Sequence, residues 1–397
     1  MEMLNSDTLS FIVEHQDEET SRLLFAASSY PNIDMRSAVR RIEARKKIKY
    51  KIPEWYAHPE LDYPFSISLE QCSSQLTAQY KQRFVSNNDT IADLTGGLGV
   101  DTYYMSLKCR VCHYFEKNKD LCESAASNFK FLECNNIIVT NQDSTDYIHT
   151  AEAPRFDLIY LDPARRDNVS KRVYSITDCE PDAVELLPSL FRLSDRVLIK
   201  VSPMADIRKC VDLFPHTSQL HIVSLRNECK EVLLLVEKSF VGETQIFAVN
   251  INGDKREESF KFKISEEKMA VALLSSTPQK YIYQPNKAIL KSGGFKLVSE
   301  RYNIHKLAQS THLYTSEREI DDFLGKRYLV EKIYPFNRET LKVIPSEYPK
   351  AEVFAVNFPI DTNHLRGRLK IKDGGDKYLI ACTLADDSKV IIAASLL

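Results

Sequence analysis

Several features that would place this chain in a special class are scarce. Its 397 residues include only 11 Gly and 16 Pro, too few for a collagen-like or low-complexity chain. A hydrophobic fraction of 43% is too high for a disordered one. The formal net charge is −2, so the molecule as a whole is not a polycation. Any affinity for nucleic acid must therefore come from local basic patches.

Signals for export, membrane insertion and metal binding are absent as well. The longest apolar runs, such as residues 232–236 and 390–397, are too short to cross a bilayer. Residues 1–20 carry six acids and no Lys or Arg, the reverse of a signal peptide. Nine Cys without an export signal indicate reduced thiols, and the lone CxxC of Cys109 and Cys112 has no second pair to complete a zinc site. We therefore expect a cytoplasmic protein with no membrane partner and no metal.

The pattern along the chain predicts an α/β protein in four parts. Residues 1–80 lack strand alternation and are expected to form a helical N-terminal extension. Residues 81–240 alternate short β-branched runs with amphipathic stretches, which predicts parallel strands joined by right-handed crossovers and closed by one hairpin. The predicted strands are residues 90–94, 111–115, 137–140, 157–161, 196–201, 221–225 and 232–236.

Residues 241–320 and 321–397 are expected to form two small α+β units. Asn252 and Gly253 lie between two apolar runs and predict a hairpin with a type I′ turn. Short helices are predicted near residues 286–290 and 295–302. Further along, we expect a strand at 352–358, a helix at 362–368, and a hairpin of residues 377–384 and 389–394.

A glycine-rich loop is the sharpest local signal. The string DLTGGLG at residues 93–99 follows a hydrophobic strand and precedes an amphipathic helix. Glycines let the backbone approach a ligand closely, and a helix N-terminus favours negative charge. Thr102 occupies the position of the third glycine of a dinucleotide fingerprint, which makes a nicotinamide cofactor a poorer fit.

Acids follow three successive strands beside that loop. Asp93 ends the first strand, Glu116 follows the second and Asp143 follows the third. Such an arrangement fits S-adenosylmethionine, whose ammonium, ribose and adenine amino groups each need an acceptor. Three acids in this order are not easily accidental.

The fourth strand is followed by DPARR at residues 162–166. A carboxylate and a proline at the switch point of an α/β sheet place an acceptor in the ligand crevice. Asp162 would hydrogen-bond an amine and direct its lone pair toward the methyl group, so that the rate comes mostly from alignment. The structural alternative is a helix-start turn followed by a surface Arg pair.

Residues 89–238 resemble a class I S-adenosylmethionine-dependent methyltransferase with a Rossmann-like fold. Several shorter sequence motifs resemble those of a bacterial family of methyltransferases whose members end in a ferredoxin-like segment and a THUMP-like domain. This resemblance covers nearly the whole chain. It is carried by SLEQCSS (68–74), DPARR (162–166), KVSPM (200–204), NECKE (227–231), YQPN (283–286), HLYT (312–315) and KDGGDKYL (372–379).

The resemblance implies a cofactor, a substrate class and a set of site residues. THUMP domains bind structured RNA, so it implies methylation of a base in ribosomal or transfer RNA, with an exocyclic or ring nitrogen favoured. The residues expected to bind S-adenosylmethionine are Ser73, Ser74, Asp93, Thr95, Gly96, Gly97, Gly99, Asp101, Glu116, Asp143 and Asp162. Catalysis is assigned to Asp162, Pro163, Arg165 and Lys200, and substrate contact to Arg165, Arg166, Asn227 and Lys230.

Other functions remain open at this stage. The chain could be an RNA-binding adaptor with a vestigial cofactor pocket, or a methyltransferase of a protein or small molecule. Uracil-5 methyltransferases share an Asp-Pro-Pro-Arg pattern but need a Cys after strand five. This chain has no Cys there until Cys210, so Cys179 or Cys229 would have to serve.

Two basic segments could contact phosphates. Residues 36–51 contain eight Lys or Arg and one Glu, and they form either a phosphate-contacting arm or a solvated helix face. Arg366, Arg368, Lys370 and Lys372 would share one face of a strand, where they could follow phosphates or guard a sheet edge.

Overall fold

The computed structural model describes residues 5–64, 66–150, 154–165, 178–253 and 256–397. The chain divides into two compact units. The first comprises Met1–Leu220 and Lys230–Gly242, and the second comprises His221–Cys229 and Glu243–Leu397. The division passes through a hairpin of two long strands. Each unit is described separately.

The first unit begins with helices and continues into a sheet with helices on its faces. The helices are α1 (Ser6–Glu14), α2 (Thr20–Phe25), α3 (Met35–Ile48), α4 (Pro53–Tyr56), α5 (Ser66–Gln71), α6 (Gln75–Lys81), α7 (Val100–Ser106), α8 (Lys119–Phe131), α9 (Ser144–Tyr147), α10 (Ala183–Leu193) and α11 (Ile207–Leu213). The strands are β1 (Thr90–Asp93), β2 (Val111–Phe115), β3 (Ile137–Thr140), β4 (Leu158–Leu161), β5 (Ala164–Arg165), β6 (Cys179–Glu180), β7 (Arg196–Val201), β8 (Thr217–Leu225) and β9 (Glu228–Glu237).

The sheet of the first unit has the predicted parallel core. Its strands follow the order β3-β2-β1-β4-β7, all parallel, and β9 pairs antiparallel with β7. The strand order reverses between β1 and β4, so the carboxyl ends of these strands border the crevice where such sheets bind ligands. Arg226 and Asn227 join β8 to β9 with φ of 50° and 61°, as a tight hairpin turn requires. The doubly wound sheet and its closing hairpin are therefore confirmed.

The N-terminal helices share a core with the sheet's own helices. Trp55 and Tyr63 are buried in one cluster with Tyr104 of α7 and Phe129 of α8. The carboxylate of Glu54 also accepts hydrogen bonds from the hydroxyl groups of two α7 tyrosines, Tyr103 at 2.9 Å and Tyr104 at 2.7 Å. The N-terminal region thus braces α7, the helix that follows the glycine loop.

The basic segment 36–51 contributes to packing within the first unit. It contains α3, where Arg41 and Arg45 are each only 5% exposed. Arg41 pairs with Asp62 at 3.3 Å, and Lys47 pairs with Glu70 at 2.5 Å. Neither a free phosphate-contacting arm nor a solvated face describes Arg41 and Arg45, so both interpretations are wrong for these two residues.

The second unit contains a hairpin and a seven-stranded sheet. Its helices are α12 (Ile264–Met269), α13 (Lys287–Ser292), α14 (Phe295–Tyr302), α15 (Thr340–Glu347) and α16 (Thr362–Leu369). Its remaining strands are β10 (Gln245–Ile251), β11 (Glu257–Lys263), β12 (Tyr281–Pro285), β13 (His305–Lys306), β14 (Tyr314–Ser316), β15 (Gly325–Pro335), β16 (Glu352–Val356), β17 (Lys377–Thr383) and β18 (Lys389–Leu396). The seven-stranded sheet has the order β13-β14-β12-β15-β18-β17-β16.

Several predictions for this unit are confirmed and two are wrong. The β10–β11 and β17–β18 hairpins are antiparallel as expected. However, Ile251 pairs with Glu257, so the β10–β11 connection is longer than the two-residue turn predicted at Asn252 and Gly253. The helix predicted at residues 362–368 is confirmed as α16, which runs to Leu369 and ends at Lys370 with φ of 54°. The strand face predicted for Arg366, Arg368, Lys370 and Lys372 is therefore wrong. The boundary predicted at residue 320 falls between strands of one sheet, since β12 pairs with β15.

Within the described residues, no helix combines the length and the apolar character needed to span a membrane.

Candidate active site

A pocket of about 700 Å³ lies in the first unit at the carboxyl ends of β1, β2, β3 and β4. This volume suits a small organic ligand. Its wall consists of residues 71–73, the whole loop 93–101, the segment 115–118 with Leu121, the segment 142–145, and Tyr160, Asp162, Ala164, Glu180 and Pro181. Four separate strand ends therefore converge on one cavity.

The glycine loop is shaped by close packing against its neighbours. A Cβ on Gly96 would lie 2.1 Å from the ring of Tyr114, and one on Gly99 would lie 2.5 Å from the ring of Phe129. Gly99 also has φ of 82°, a conformation that L side chains rarely adopt. The loop therefore has room for glycine alone at these two positions, and its backbone forms part of the pocket wall.

Asp93 is buried and accepts hydrogen bonds from the glycine loop and from α7. It is 1% exposed, and its carboxylate accepts hydrogen bonds from Thr102 Oγ1 at 2.6 Å and from the amide of Thr95 at 3.0 Å. Burial raises the pKa of Asp93 to about 7, although these hydrogen bonds oppose the rise. The Thr95 hydroxyl in turn accepts a hydrogen bond of 2.7 Å from the amide of Asp162, which ties the ends of β1 and β4 together.

Glu116 and Asp143 occupy the next two strand ends. Glu116 accepts hydrogen bonds from the amide of Gly97 at 2.8 Å and from the amide of Asn118 at 2.7 Å. Asp143 caps α9, and its Oδ1 accepts from the amide and the hydroxyl of Thr145, which lowers the pKa of Asp143. Both carboxylates line the pocket.

Asp162 forms a short ion pair behind the pocket wall. Its Oδ2 lies 2.5 Å from Lys200 Nζ, and the Lys200 side chain is 13% exposed. Burial alone would lower the pKa of Lys200, but the carboxylates of Asp162, Asp101 and Glu231 raise it well above its ordinary value. Asp162 Oδ1 makes no hydrogen bond to the part of the chain that the structure describes, and the side chain is 34% exposed. Lys200 therefore fixes one carboxylate oxygen, and no other described residue holds the second.

A buried ionic cluster supports this pair. Lys81 is fully buried, and its Nζ lies 2.9 and 2.8 Å from the two carboxylate oxygens of Glu231 and 3.1 Å from Asp101 Oδ1. The hydroxyl groups of Ser73 and Tyr160 both donate to Asp101 Oδ2 at 2.8 Å. Burial would raise the pKa of Asp101, but Lys81 and Lys200 lower it below its ordinary value.

Ser73 connects this cluster to the ion pair behind the pocket. Its Oγ lies 3.2 Å from Lys81 Nζ and 3.5 Å from Lys200 Nζ. With Asp162, the cluster contains three carboxylates and two ammonium groups, an excess of one negative charge.

The structure does not bring every predicted site residue to the pocket. Pro163 and Lys200 are not among the described residues that line it, and Ser74 caps α6 instead. Lys230 is exposed on β9. Asn227, in the second unit, accepts a hydrogen bond of 2.7 Å from the amide of Lys287.

Some of the remaining candidate residues lie outside the described ranges. Arg166 lies outside the described residues, as does the side chain of Arg165. Cys179 is 1% exposed on β6, and Cys229 is partly buried on β9. In the described ranges, no group of three or more His, Cys, Asp or Glu side chains could hold a metal ion.

Sequence reasoning missed three members of the ionic cluster. Tyr160 is the one polar side chain within β4, and a buried hydroxyl group needs a partner. Glu231 lies within the NECKE string at the start of an apolar run, a second usable signal. Lys81, at the end of α6, carries no local signal because its partners are 20 and 150 residues away in sequence.

Comparisons with known proteins find relatives for the whole chain. Family models match a ferredoxin-like domain at residues 281–323 and a THUMP-like domain at residues 325–395. The crystal structure of a candidate methyltransferase from Porphyromonas gingivalis W83 is similar over 98% of this chain and 97% of its own, with 32% identity and a TM-score of 0.89.

A second relative matches over a shorter stretch. An uncharacterized RNA methyltransferase of Mycoplasma mobile is 27% identical over 144 residues. The match covers 36% of this chain, which spans only 39% of that relative's length.

The raised pKa of Asp93 predicts a pH-dependent stability. The pKa of an ordinary Asp is about 4, and the pKa of Asp93 in the folded protein is about 7. At a pH between these two values, the folded state retains a proton that the unfolded state has lost. Stability should therefore fall as the pH rises through this window and then level off. We expect Asp93→Asn to remove this pH dependence. Between pH 4 and pH 8, the free energy of unfolding of the wild type should fall by up to about 4 kcal/mol more than that of the variant.

Urea unfolding of both proteins across this pH range measures the effect. Parallel stability curves for the wild type and the variant would show that Asp93 titrates at its ordinary pKa.

Proposed function

Because this chain belongs to the family of class I methyltransferases that carry a ferredoxin-like and a THUMP-like domain toward the C-terminus, we propose that it methylates a base of structured RNA. The methyl donor in this proposal is S-adenosylmethionine, and the acceptor is an exocyclic or ring nitrogen. One observation carries the proposal: carboxylates from four adjacent strand ends surround a single pocket.

The residues of the pocket fit S-adenosylmethionine chemically. Glu116, at the end of β2, offers carboxylate oxygens to a pair of ribose hydroxyl groups, while its bond to the Gly97 amide fixes its orientation. Asp143 uses Oδ1 to cap α9 and leaves Oδ2 for an adenine amino group. The tight backbone of Gly96 and Gly97 allows close approach of the ligand.

Charge supports the same ligand. S-adenosylmethionine carries a positive sulfonium and a positive ammonium group, and it supplies an electrophilic methyl group when bound. The cluster of Asp101, Glu231, Asp162, Lys81 and Lys200 has one negative charge in excess beside the pocket. Burial raises the pKa of Asp93, and a cationic ligand nearby would favour its ionised form.

Asp162 is proposed to orient the acceptor nitrogen. Since Lys200 engages Oδ2, Oδ1 can accept a hydrogen bond from an N–H group and direct the nitrogen lone pair into the pocket. The ionised carboxylate also stabilises the positive charge that develops on the nitrogen as it is alkylated. Arg165 and Arg166 follow directly in sequence and are proposed to stack on the base or bind a phosphate.

The proposal of an RNA substrate has two supports. One relative is described as an RNA methyltransferase, and residues 325–395 match a THUMP-like domain. The same domain exposes a group of cations, and within the described residues they have no ion-pair partner: Lys350, Arg368, Lys370 and Lys372. Residues 350 and 372 are bridged through their backbones, which keeps two of the cations together. Such a group can contact successive phosphates.

The role of Glu116 predicts a loss of cofactor affinity. Glu116→Ala removes a charged acceptor, and hydrogen bonds to charged groups contribute about 1.5–3 kcal/mol each. We expect the Kd for S-adenosylhomocysteine, measured by calorimetry, to rise at least tenfold. Glu123→Ala is the matched control, because Glu123 lies on α8 and pairs with Lys119. Equal affinities of the Glu116 variant and the wild type would remove the ribose assignment.

The role of Asp162 predicts a loss of turnover without loss of cofactor. Asp162→Asn keeps the shape of the side chain but removes the charge, so methyl transfer to total RNA from a strain lacking the gene should fall by about 100-fold. Binding of S-adenosylhomocysteine should change by less than about threefold. A wild type that binds this ligand and RNA but transfers no methyl group would be an RNA-binding adaptor instead.

The exposed cations predict a steep salt dependence of RNA binding. Replacing Arg368, Lys370 and Lys372 by Gln should weaken filter binding of bulk RNA at low salt and reduce the slope of log K against log salt by about 2. A control variant carries Gln at Arg22, Lys119 and Lys332, which pair with acids. If both variants keep the slope of the wild type, RNA does not bind at this surface.

A further inference from the structure

Two ammonium groups share a single hydroxyl group behind the pocket. Ser73 Oγ lies 3.2 Å from Lys81 Nζ and 3.5 Å from Lys200 Nζ. Like charges this close repel strongly when they are shielded from water. The arrangement is tolerable because Asp101 and Glu231 compensate Lys81 while Asp162 compensates Lys200. The position of Lys200 therefore depends on Asp101 and Glu231 as well as on Asp162, because they neutralise the Lys81 ammonium that shares Ser73 with it.

Glu231 is the carboxylate that lies nearest to Lys81. It is 2% exposed and faces Lys81 with both carboxylate oxygens, so it is bound as a carboxylate. Glu231 is not among the residues that line the pocket, and neither is Lys81. Buried ion pairs seldom stabilise a fold more than apolar residues of similar size would, so stability alone explains this pair poorly.

We propose that Lys81 and Glu231 are positioning residues for methyl transfer, which act through Ser73 and Lys200 to hold Asp162 against the acceptor nitrogen. This inference rests on the proposed function and extends it to two residues outside the pocket. Without the charge of Glu231, Lys81 repels Lys200, and the ion pair of Lys200 with Asp162 loosens. Asp162 then loses the orientation on which alignment depends.

A double-mutant cycle tests whether Glu231 acts through Lys200. We expect Glu231→Gln to lower kcat on total RNA by about 10-fold or more, with KM for S-adenosylmethionine changed by less than about twofold. In a Lys200→Met background the same substitution should have almost no further effect, because the group it acts on is gone. If the fold-losses of kcat in the two single variants multiply in the double variant, Glu231 and Lys200 act independently and the proposal is overturned.

Removing the charges of Lys81 and Glu231 together should restore the activity that is lost when Glu231 alone is changed. Lys81→Met combined with Glu231→Gln removes the repulsion together with its compensation, so kcat should recover most of what Glu231→Gln alone loses. A pair that only stabilises the fold predicts instead that Glu231→Gln leaves kcat per folded molecule unchanged, so that there is no loss of kcat to recover. The control is Asp62→Asn, which disrupts a buried ion pair with Arg41 elsewhere in the first unit and should lower stability but not kcat. This double variant also covers the case in which Glu231→Gln alone does not fold.

A second readout needs no substrate. Trace acetylation with acetic anhydride, followed by peptide mass spectrometry, reports how readily the Lys200 ammonium loses its proton. Labelling of Lys200 at pH 10 should rise severalfold in Glu231→Gln relative to the wild type and return in the double variant. Unchanged labelling would overturn the proposal. Failure of the proposed function is distinct, because then the wild type itself transfers no methyl group to RNA.

Discussion

The compensation of buried carboxylates by two lysines is the constraint on which this site depends. Parallel strands bring their carboxyl ends to one edge of the sheet, and the acids that follow them crowd a region with little water. Asp101 of α7 and Glu231 of β9 are buried beside these strand ends and would be costly there without Lys81, while Lys200 pairs with the partly exposed Asp162. Because one lysine comes from a helix before β1 and the other from β7, the charges also hold distant parts of the chain together. The resulting excess of one negative charge suits a cationic ligand.

The glycine loop depends on packing as much as on its own flexibility. Tyr114 and Phe129 fill the space that side chains at Gly96 and Gly99 would need, so the loop is pressed against β2 and α8. The N-terminal helices add to this support, because Glu54 holds Tyr103 and Tyr104 of the helix that follows the loop. The N-terminal region therefore belongs to the architecture of the pocket.

Much of the first unit could be predicted from sequence, because buried parallel strands appear as short apolar runs and the acids directly follow them. Lys81 could not be found this way, since its importance arises from partners far away in the chain. The second unit was harder. β15 carries Lys326, Arg327, Glu331 and Lys332, so it lacks the apolar pattern of a strand. A helix was predicted at residues 362–368, and Leu365 and Leu369, four residues apart and both fully buried, are the pattern that supports it. The alternating cations of residues 366–372 suggested a strand face that the structure does not contain.

The seven-stranded sheet has a consequence for how the C-terminal half can be dissected. The ferredoxin-like match ends at residue 323 and the THUMP-like match begins at residue 325, yet β12 and β15 on either side are hydrogen-bonded along five residue pairs. If the chain were cut at this junction, each fragment would lose a neighbouring strand. The unpaired edges of β12 and β15 would then be prone to self-association. The two matched segments share one sheet, and we therefore expect them to fold together as a single body.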